Sequence, residues 1–308
     1  MLKENGMKQE CNICPRNCSV DRKAGQVGYC GQTDKIYVAR AALHLWEEPC
    51  LSGKEGSGTV FFCGCSLRCI FCQNHKIALG KEKNGDKIGK EISIERLKDI
   101  FLELQQIGAN NINLVTGTHY VPQIVVALKL AKKEGLKIPV VYNTSGYEKV
   151  ETLRLLEGLI DIYLPDMKYM SEKLSKEYSN ASDYFEVSAK ALEEMVRQVG
   201  EPEFEKTGCL KKGVIVRHMV LPGSTKDSRA ILDYLWNTYG NRIYISIMSQ
   251  YTPMEQTKTH PLLSRKVTKR EYSKVVNYAL NLGWENGFIQ EGETATESFI
   301  PDFNACGV

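Results

Sequence analysis

The sequence has no long apolar segment and little net charge. Across 308 residues, no apolar run approaches the ~18–20 residues that span a membrane as a helix. Residues 1–10 lack the apolar core of a signal peptide. The formal net charge of +3 is too small to indicate nucleic-acid binding. With no internal repeat or low-complexity tract either, a cytoplasmic globular protein is expected, with no membrane or nucleic-acid partner.

Cysteine, by contrast, is abundant. The chain has 11 cysteines, an odd number that cannot pair completely as disulfides within one chain. Cytosolic proteins also keep their thiols reduced, so metal or redox chemistry is the better explanation. The composition, 43% hydrophobic and 25% charged, excludes a disordered chain and a coiled coil.

Three cysteines, Cys65, Cys69 and Cys72, have the spacing C-x3-C-x2-C directly after a predicted strand. Three thiolates on one tight loop can ligate three irons of a cubane [4Fe–4S] cluster. The fourth iron then has no protein ligand, and the amine and carboxylate of a small molecule can chelate it. Zinc and unliganded thiols are the alternatives.

A second set has the spacing C-x2-C-x3-C-x11-C and consists of Cys11, Cys14, Cys18 and Cys30. Four thiolates suit tetrahedral zinc or a fully ligated iron–sulfur cluster, and the sequence does not decide between them. Either metal would fold a segment that has little apolar core. Four further cysteines have no obvious partners and are expected to be small buried or surface thiols: Cys50, Cys63, Cys209 and Cys306.

Beyond residue 50, short strand-like runs alternate with longer helix-like runs. Strands are predicted at 58–63, 111–115, 138–142, 159–164, 214–221 and 243–248. Helices are predicted at 93–107, 120–134, 147–158, 182–199, 226–239 and 268–282, the first of them with Ser93 as its N-cap. Residues 8–50 are expected to be irregular, and residues 200–213 to form a surface insertion.

Six βα units in series indicate a parallel sheet with helices outside it. Six are too few for a closed eight-stranded barrel. The expected fold class is therefore α/β: an open (βα)6 partial TIM barrel with a Cys-rich N-terminal metal-binding extension. The expected domains are the extension at 1–50, the partial barrel at 51–283 and a C-terminal cap at 284–308.

Polar residues follow each predicted strand, where parallel βα proteins carry their chemistry. Each of these residues alone is a weak signal, but together they would form a ring around the cysteine loop. They include Thr116 and Gly117, Asn143 and Ser145, Asp166 and Lys168, Arg217 and His218, and Gln250.

The cysteine loop with Phe71, the triplet Asp166-Met167-Lys168 and residues 216–223 closely resemble radical S-adenosylmethionine (SAM) enzymes. The likeness is to the pyruvate formate-lyase activating enzyme branch and its uncharacterised activating-enzyme-like relatives. It implies a [4Fe–4S] cluster on the three cysteines that cleaves SAM reductively. The resulting 5′-deoxyadenosyl radical would abstract a hydrogen atom from a substrate.

The resemblance also implies roles for the strand-end residues. Thr116 and Gly117 stand where the family binds the SAM amino group, although the glutamate of that turn is absent here. Asn143 and Ser145 lie in the run Asn-Thr-Ser-Gly, where the activating enzymes have Asp-Thr-Asn-Gly. Asp166 and Lys168 match a pair near SAM. Arg217 would hold a carboxylate, and His218 would contact substrate or handle a proton.

Two kinds of substrate remain open. One is the glycine of a partner glycyl radical enzyme, which would make the chain an activase. The other is a peptide side chain or a small metabolite. Either reaction needs an electron donor such as flavodoxin or ferredoxin, and a non-catalytic metal-binding module is the remaining alternative.

Overall fold

The computed structural model describes residues 10–81, 85–290 and 301–308. The strands are β1 (Ile36–His44), β2 (Ser57–Phe62), β3 (Lys90–Ile92), β4 (Ile112–Val115), β5 (Val140–Thr144), β6 (Ile162–Pro165), β7 (Glu203–Phe204), β8 (Leu210–Met219), β9 (Tyr244–Met248) and β10 (Gly287–Ile289). The helices are α1 (Pro49–Ser52), α2 (His75–Leu79), α3 (Ile94–Gln106), α4 (Val121–Lys133), α5 (Val150–Arg154), α6 (Glu172–Ser179), α7 (Tyr184–Val199), α8 (Thr225–Tyr239) and α9 (Lys269–Leu282).

The strands form one sheet in the order β10-β9-β8-β6-β5-β4-β2-β1-β3, with β7 paired to β8. From β2 to β10 along this order the neighbours are parallel. Helices α3, α4, α5, α7, α8 and α9 lie between these strands in sequence. The predicted open (βα)6 partial barrel is therefore confirmed, and β10 extends it by one parallel strand.

The expectation that residues 8–50 are irregular is wrong for β1. This strand pairs antiparallel with β2, from Val38 opposite Phe62 to His44 opposite Ser57. Its other side pairs with β3 and, through Ala39 and Ala41, with residues 305–306 of the tail. The chain thus enters the sheet well before residue 50, and the domain boundaries stay predictions.

Helix α3 shows why the predicted helices form. The Ser93 side chain caps the helix by accepting a hydrogen bond from the Arg96 backbone N–H at 3.1 Å, as expected for an N-cap. Leu97, Ile100 and Phe101 recur at helical spacing and are buried against the sheet. Burying each such side chain contributes about 1.5–3 kcal/mol. Within the described ranges, no helix is long and apolar enough to cross a membrane.

Two elements near the strand ends differ from expectation. The helix predicted at 147–158 is only α5 (Val150–Arg154), because the chain continues in turns that bury Leu156 and Leu159. Helix α6 (Glu172–Ser179) was not predicted; Ser171 caps it, and it ends at Asn180 in the left-handed conformation. Its last residue contacts the cysteine loop, as described below.

Candidate active site

A cavity of ≈ 210 Å³ lies at the C-terminal ends of the parallel strands. All three cysteines of the C-x3-C-x2-C loop line it, together with side chains that follow β4, β5, β6, β8 and β9. The polar lining residues are Gln73, Asn74, Thr116, Asn143, Ser145, Asp166, Lys168, Arg217 and Gln250, and Met219 and Met248 add thioethers. Apart from Gly117 and His218, the residues of the predicted strand-end ring thus line one cavity.

The backbone of the cysteine loop approaches its surroundings closely. Gly64, directly after β2, has φ +90°, and a Cβ atom there would lie 2.4 Å from Gln32 Cγ and 2.8 Å from the Cys30 carbonyl oxygen. Only glycine fits this conformation without strain. The N–H groups of Leu67 and Arg68 then face Cys65 Sγ at 3.3 and 3.5 Å. Such N–H groups stabilise a thiolate that ligates iron.

Aromatic packing fixes the far end of the loop. Phe71 is buried and makes edge-to-face contacts with Tyr169, Tyr178 and Tyr251, at centroid distances of 6.2, 6.2 and 6.3 Å. The Ser179 hydroxyl at the end of α6 donates to Cys69 Sγ at 3.0 Å. The aromatic residue of the motif is therefore a packing anchor that holds Cys69 and Cys72 at the cavity.

The three thiols suit a cluster better than a single ion. Burial raises the pKa of Cys69 and of Cys72, so these thiols stay protonated until a metal displaces the proton. Among the described residues, no three or more His, Cys, Asp or Glu side chains are arranged to hold one metal ion. A cubane binds each thiolate at a different iron, so its ligands need not converge on one point.

Asp166 organises the charges of the cavity. Its carboxylate accepts from Lys168 Nζ at 2.6 Å through Oδ2 and from Arg217 Nε at 3.1 Å through Oδ1. Burial opposes ionisation of Asp166, but the two cations outweigh it, and its pKa is lowered. Asp166 therefore stays ionised between two positive groups.

Lys168 and Arg217 differ in the donors that they have left. Arg217 Nη2 donates to Asn143 Oδ1 at 2.6 Å, and its Nη1 faces the Glu47 carboxylate at 3.5 Å. The guanidinium therefore has protein partners on all sides, which leaves Lys168 as the cavity cation with donors to offer a ligand. Its ammonium lies at the cavity wall and has donors beyond the one given to Asp166.

Thr116 has an unusual backbone conformation at the cavity. Its φ is +59°, a region that β-branched residues rarely adopt, and its N–H donates to the Asn143 carbonyl at 2.9 Å. Strain of this kind persists where the surroundings enforce it, most often at functional sites. The turn that starts at Thr116 is therefore a candidate main-chain contact for a ligand.

Glu148 joins two of the strand-end loops and was not predicted from the sequence. It is buried, and its Oε1 accepts from the hydroxyls of Thr118 (2.6 Å) and Thr144. Burial raises its pKa to about 7. Glu148 does not line the cavity, so it supports the site by joining Thr118 to Thr144 and not by contact with a ligand.

Two predicted cofactor contacts lie outside the cavity. Gly117 packs against Ile124 and Phe62, at distances where a Cβ atom would clash with Ile124. His218 is 2% exposed and bonds through Nδ1 to the Met167 carbonyl at 2.8 Å. Burial lowers the His218 pKa to about 4, so it is neutral near pH 7 and has the contacts of a packing residue.

Two largely buried acids lie at the opposite end of the barrel, and sequence reasoning missed both. Glu47 and Glu48 follow β1, and Glu47 accepts from Asn113 Nδ2 at 3.0 Å besides facing Arg217. Burial raises the pKa of both carboxyls. Acidic residues ahead of Pro49 give no sequence signal of burial, because their partners lie on distant strands.

Comparisons with known proteins agree with this geometry. The model of the Radical SAM superfamily matches residues 59–235, more than half of the chain. An uncharacterized protein of Methanocaldococcus jannaschii is 28% identical over 277 residues, covering 88% of this chain and 74% of its own.

Solved structures are more distant in sequence. The structure of native anSMEcpe with bound AdoMet is 13% identical, with a TM-score of 0.50, over 74% of this chain and 61% of its own length. Streptococcus suis SuiB bound to the precursor peptide SuiA is 17% identical, with a TM-score of 0.48, over 74% of this chain. The chain spans about half of SuiB, 46% of its length. The likeness to anSMEcpe supports the fold alone.

Members of the superfamily use a [4Fe–4S] cluster and SAM, and the three-cysteine loop at the cavity suits both. On the family match over residues 59–235, the chain belongs to the radical SAM superfamily of enzymes.

Proposed function

We propose that the cavity binds SAM against a [4Fe–4S] cluster on Cys65, Cys69 and Cys72, and that the enzyme abstracts a hydrogen atom from a substrate. The observation that carries the proposal is that these cysteines and the Asp166–Lys168 pair line one cavity at the strand ends. When bound, the cluster supplies the electron that breaks the sulfonium S–C5′ bond of SAM, which yields methionine and the 5′-deoxyadenosyl radical.

The chain's own residues bind and orient SAM. The Lys168 ammonium, held by Asp166, pairs with the SAM carboxylate or a ribose oxygen. The main chain at Thr116 accepts from the amino group, and Asn143 and Ser145 contribute polar contacts. Met219 and Met248 line the wall with apolar surface and exclude water from the reacting atoms.

For the substrate, we favour the glycine of a partner glycyl radical enzyme. The triplet Asp166-Met167-Lys168 and residues 216–223 support an activase, because they resemble that branch. Thr118 and Asn143 stand where the activating enzymes have acidic residues. This difference favours the alternative substrate, a peptide side chain or a small metabolite. A flavodoxin- or ferredoxin-type protein would donate the electron in either case.

To test the proposal, SAM is added to anaerobically reconstituted, reduced protein, and the 5′-deoxyadenosine that forms is measured. We expect the product from the wild type and from Cys306→Ala, which removes an exposed cysteine outside both sets. Cys69→Ala should abolish the product, and product formation by that variant would contradict the cluster assignment. A candidate glycyl radical enzyme deuterated at glycine then tests the substrate, because an activase transfers deuterium into 5′-deoxyadenosine.

A further inference from the structure

The second set of cysteines lies in a loop segment packed beside the cysteine loop. In the described structure, residues 10–35 contain no helix or strand. A turn brings Cys11 next to Ser19, with the Cys11 N–H bonded to the Val20 carbonyl at 2.9 Å and the Ser19 N–H to the Cys11 carbonyl at 3.0 Å. Cys14 and Cys30 are nevertheless buried, so the segment buries thiols without a regular scaffold.

The other three thiols of the set lie near Cys30. Cys14 lies within electrostatic range of Cys18 and Cys30, and Cys30 within range of Cys11 and Cys18. None of them forms a disulfide. Four buried or partly buried thiols in one short loop segment are of the residue type and number that zinc or an iron–sulfur cluster takes.

The backbone around Cys18 has a feature in common with the catalytic loop, the cysteine loop that carries Cys65, Cys69 and Cys72. The Tyr29 N–H donates to Cys18 Sγ at 3.2 Å, as Leu67 and Arg68 do to Cys65. The chain passes so close to this sulfur that a Cβ atom on Gly28 would lie 2.8 Å from Cys18 Sγ. The Cys18 sulfur therefore accepts a backbone hydrogen bond, an interaction that tunes iron-bound thiolates.

The arrangement of the four sulfurs bears on whether they bind zinc or an iron–sulfur cluster. One zinc ion needs four sulfurs that converge on one point. Neither this set nor the catalytic set has that arrangement in the described residues. The catalytic set, which suits a cluster in this superfamily, lacks that arrangement too. Its absence from the second set therefore favours a cluster, whose irons bind the thiolates at separate corners.

Arg16, between Cys14 and Cys18, connects this segment to the catalytic loop. Its Nε donates to the Ser66 carbonyl at 2.7 Å, its Nη2 to the Ser179 carbonyl at 2.9 Å, and its Nη1 to the Asn180 carbonyl. Its guanidinium also lies over the Tyr29 ring at 4.0 Å. Ser66 is in the catalytic loop, and Ser179 is the residue whose hydroxyl contacts Cys69.

We propose that Cys11, Cys14, Cys18 and Cys30 bind a second [4Fe–4S] cluster, and that Arg16 fastens its loop to the catalytic cysteine loop. The site is independent of the substrate proposed above and needs only the donors described here.

Iron and sulfide analysis of the full chain after anaerobic reconstitution tests the proposal, with zinc measured in the same samples. We expect about eight irons per chain for the wild type and about four for the triple variant Cys65→Ala/Cys69→Ala/Cys72→Ala. The double variant Cys14→Ser/Cys30→Ser should also keep about four. The control Cys209→Ser/Cys306→Ser removes two thiols outside both sets and should keep about eight.

The triple variant is the decisive protein, because it leaves the N-terminal segment intact even if the double variant fails to fold. A [4Fe–4S] Mössbauer signal from this variant supports the proposal. About one zinc and no iron in it, or no metal at all, overturns the proposal. If the wild type instead holds about four irons per chain and the triple variant holds none, the second cluster is contradicted. The proposed function stands in that case.

Discussion

Lys168 presents its ammonium at the cavity wall, where we propose that it meets the SAM carboxylate or a ribose oxygen. We predict that Lys168→Met, which keeps the apolar stem and removes the charge, raises the KM for SAM. A hydrogen bond to a charged group contributes about 1.5–3 kcal/mol, so the increase should be roughly tenfold to a hundredfold. The measurement is the dependence of 5′-deoxyadenosine formation on SAM concentration.

A matched control for this variant is Lys190→Met on α7, which removes an exposed ammonium paired with Glu186. It should leave the KM unchanged. An unchanged KM in Lys168→Met itself would mean that another group holds the ligand.

His218 provides a prediction about pH. Its pKa in the folded protein, about 4, lies below the usual value near 6.5, so the unfolded chain binds the proton first. This contribution to stability is complete above pH 6.5 and is lost as the pH falls toward 4; the loss should be about 2 kcal/mol at pH 5. His218→Asn keeps a donor for the Met167 carbonyl and does not titrate. The wild type should therefore lose about 2 kcal/mol more of its free energy of unfolding than His218→Asn does when the pH is lowered from 7 to 5. The measurement is urea unfolding of both proteins at the two pH values.

The same variant tests whether His218 contacts the cofactor. Because the side chain lies outside the cavity, its KM for SAM should match that of the wild type at pH 7. A large rise in KM without loss of stability would restore the direct contact implied by the family resemblance.

The different positions of Arg217 and His218 could be predicted in part from the sequence. Arg217 and His218 are neighbours on a strand, so they point to opposite faces, and only one of them can face the cavity. The burial of Glu47 could not be predicted in this way. Its partners, Asn113 and Arg217, are far away in sequence and come close only when the sheet forms.

Among the structural elements, the N-terminal loop segment is held against the barrel by several side-chain hydrogen bonds, and Arg16 makes four of them. We predict that Arg16→Lys lowers the free energy of unfolding by about 2–3 kcal/mol, because lysine keeps the charge but cannot bond to carbonyls from two loops at once. Limited proteolysis within residues 10–35 should become faster. Arg270→Lys, an exposed arginine of α9, is the control and should change neither quantity. Equal stability of Arg16→Lys and wild type would show that other contacts hold the segment.

Elements with strong local signals were predictable. Helix α9 begins with a capping box between Thr268 and Glu271, and its bounds agree with the prediction to within one residue. Strand β1 was missed because the irregular Cys- and Gly-rich stretch before it obscured its pattern, and because its pairing with β2 is a tertiary feature. Helix α6 is short, and its position depends on the Ser171 cap and on its contact with the cysteine loop.

At the scale of the whole molecule, charged side chains form a continuous series through the barrel. Glu47 and Glu48 lie at one end, Arg217 and Asp166 in the middle, and Lys168 at the cavity. Three acids face two bases, and burial raises the pKa of Glu47 and Glu48. Burial thus opposes ionisation of both acids at this end of the series, and Arg217 is the cation that offsets it.

Ligand binding should stabilise the whole molecule only when the cluster is present. A ligand at a hundredfold its Kd adds about 2.7 kcal/mol to the free energy of unfolding. We predict that saturating SAM raises the Tm of the reconstituted protein by about 4 °C. The triple cysteine variant should show no shift, because it lacks the iron that chelates SAM. An equal shift in both proteins, measured anaerobically by circular dichroism, would show that SAM binds without the cluster.

The contacts of Arg16 impose an order of events during synthesis. Its partner Asn180 follows it by 164 residues, and at about 5–20 residues per second the ribosome needs roughly 10–30 s to make that stretch. During this time the N-terminal segment has no docking surface, because Ser179 and Asn180 have not yet been made. The segment therefore docks only after most of the barrel has been synthesised, although it is the first part of the described chain to be made.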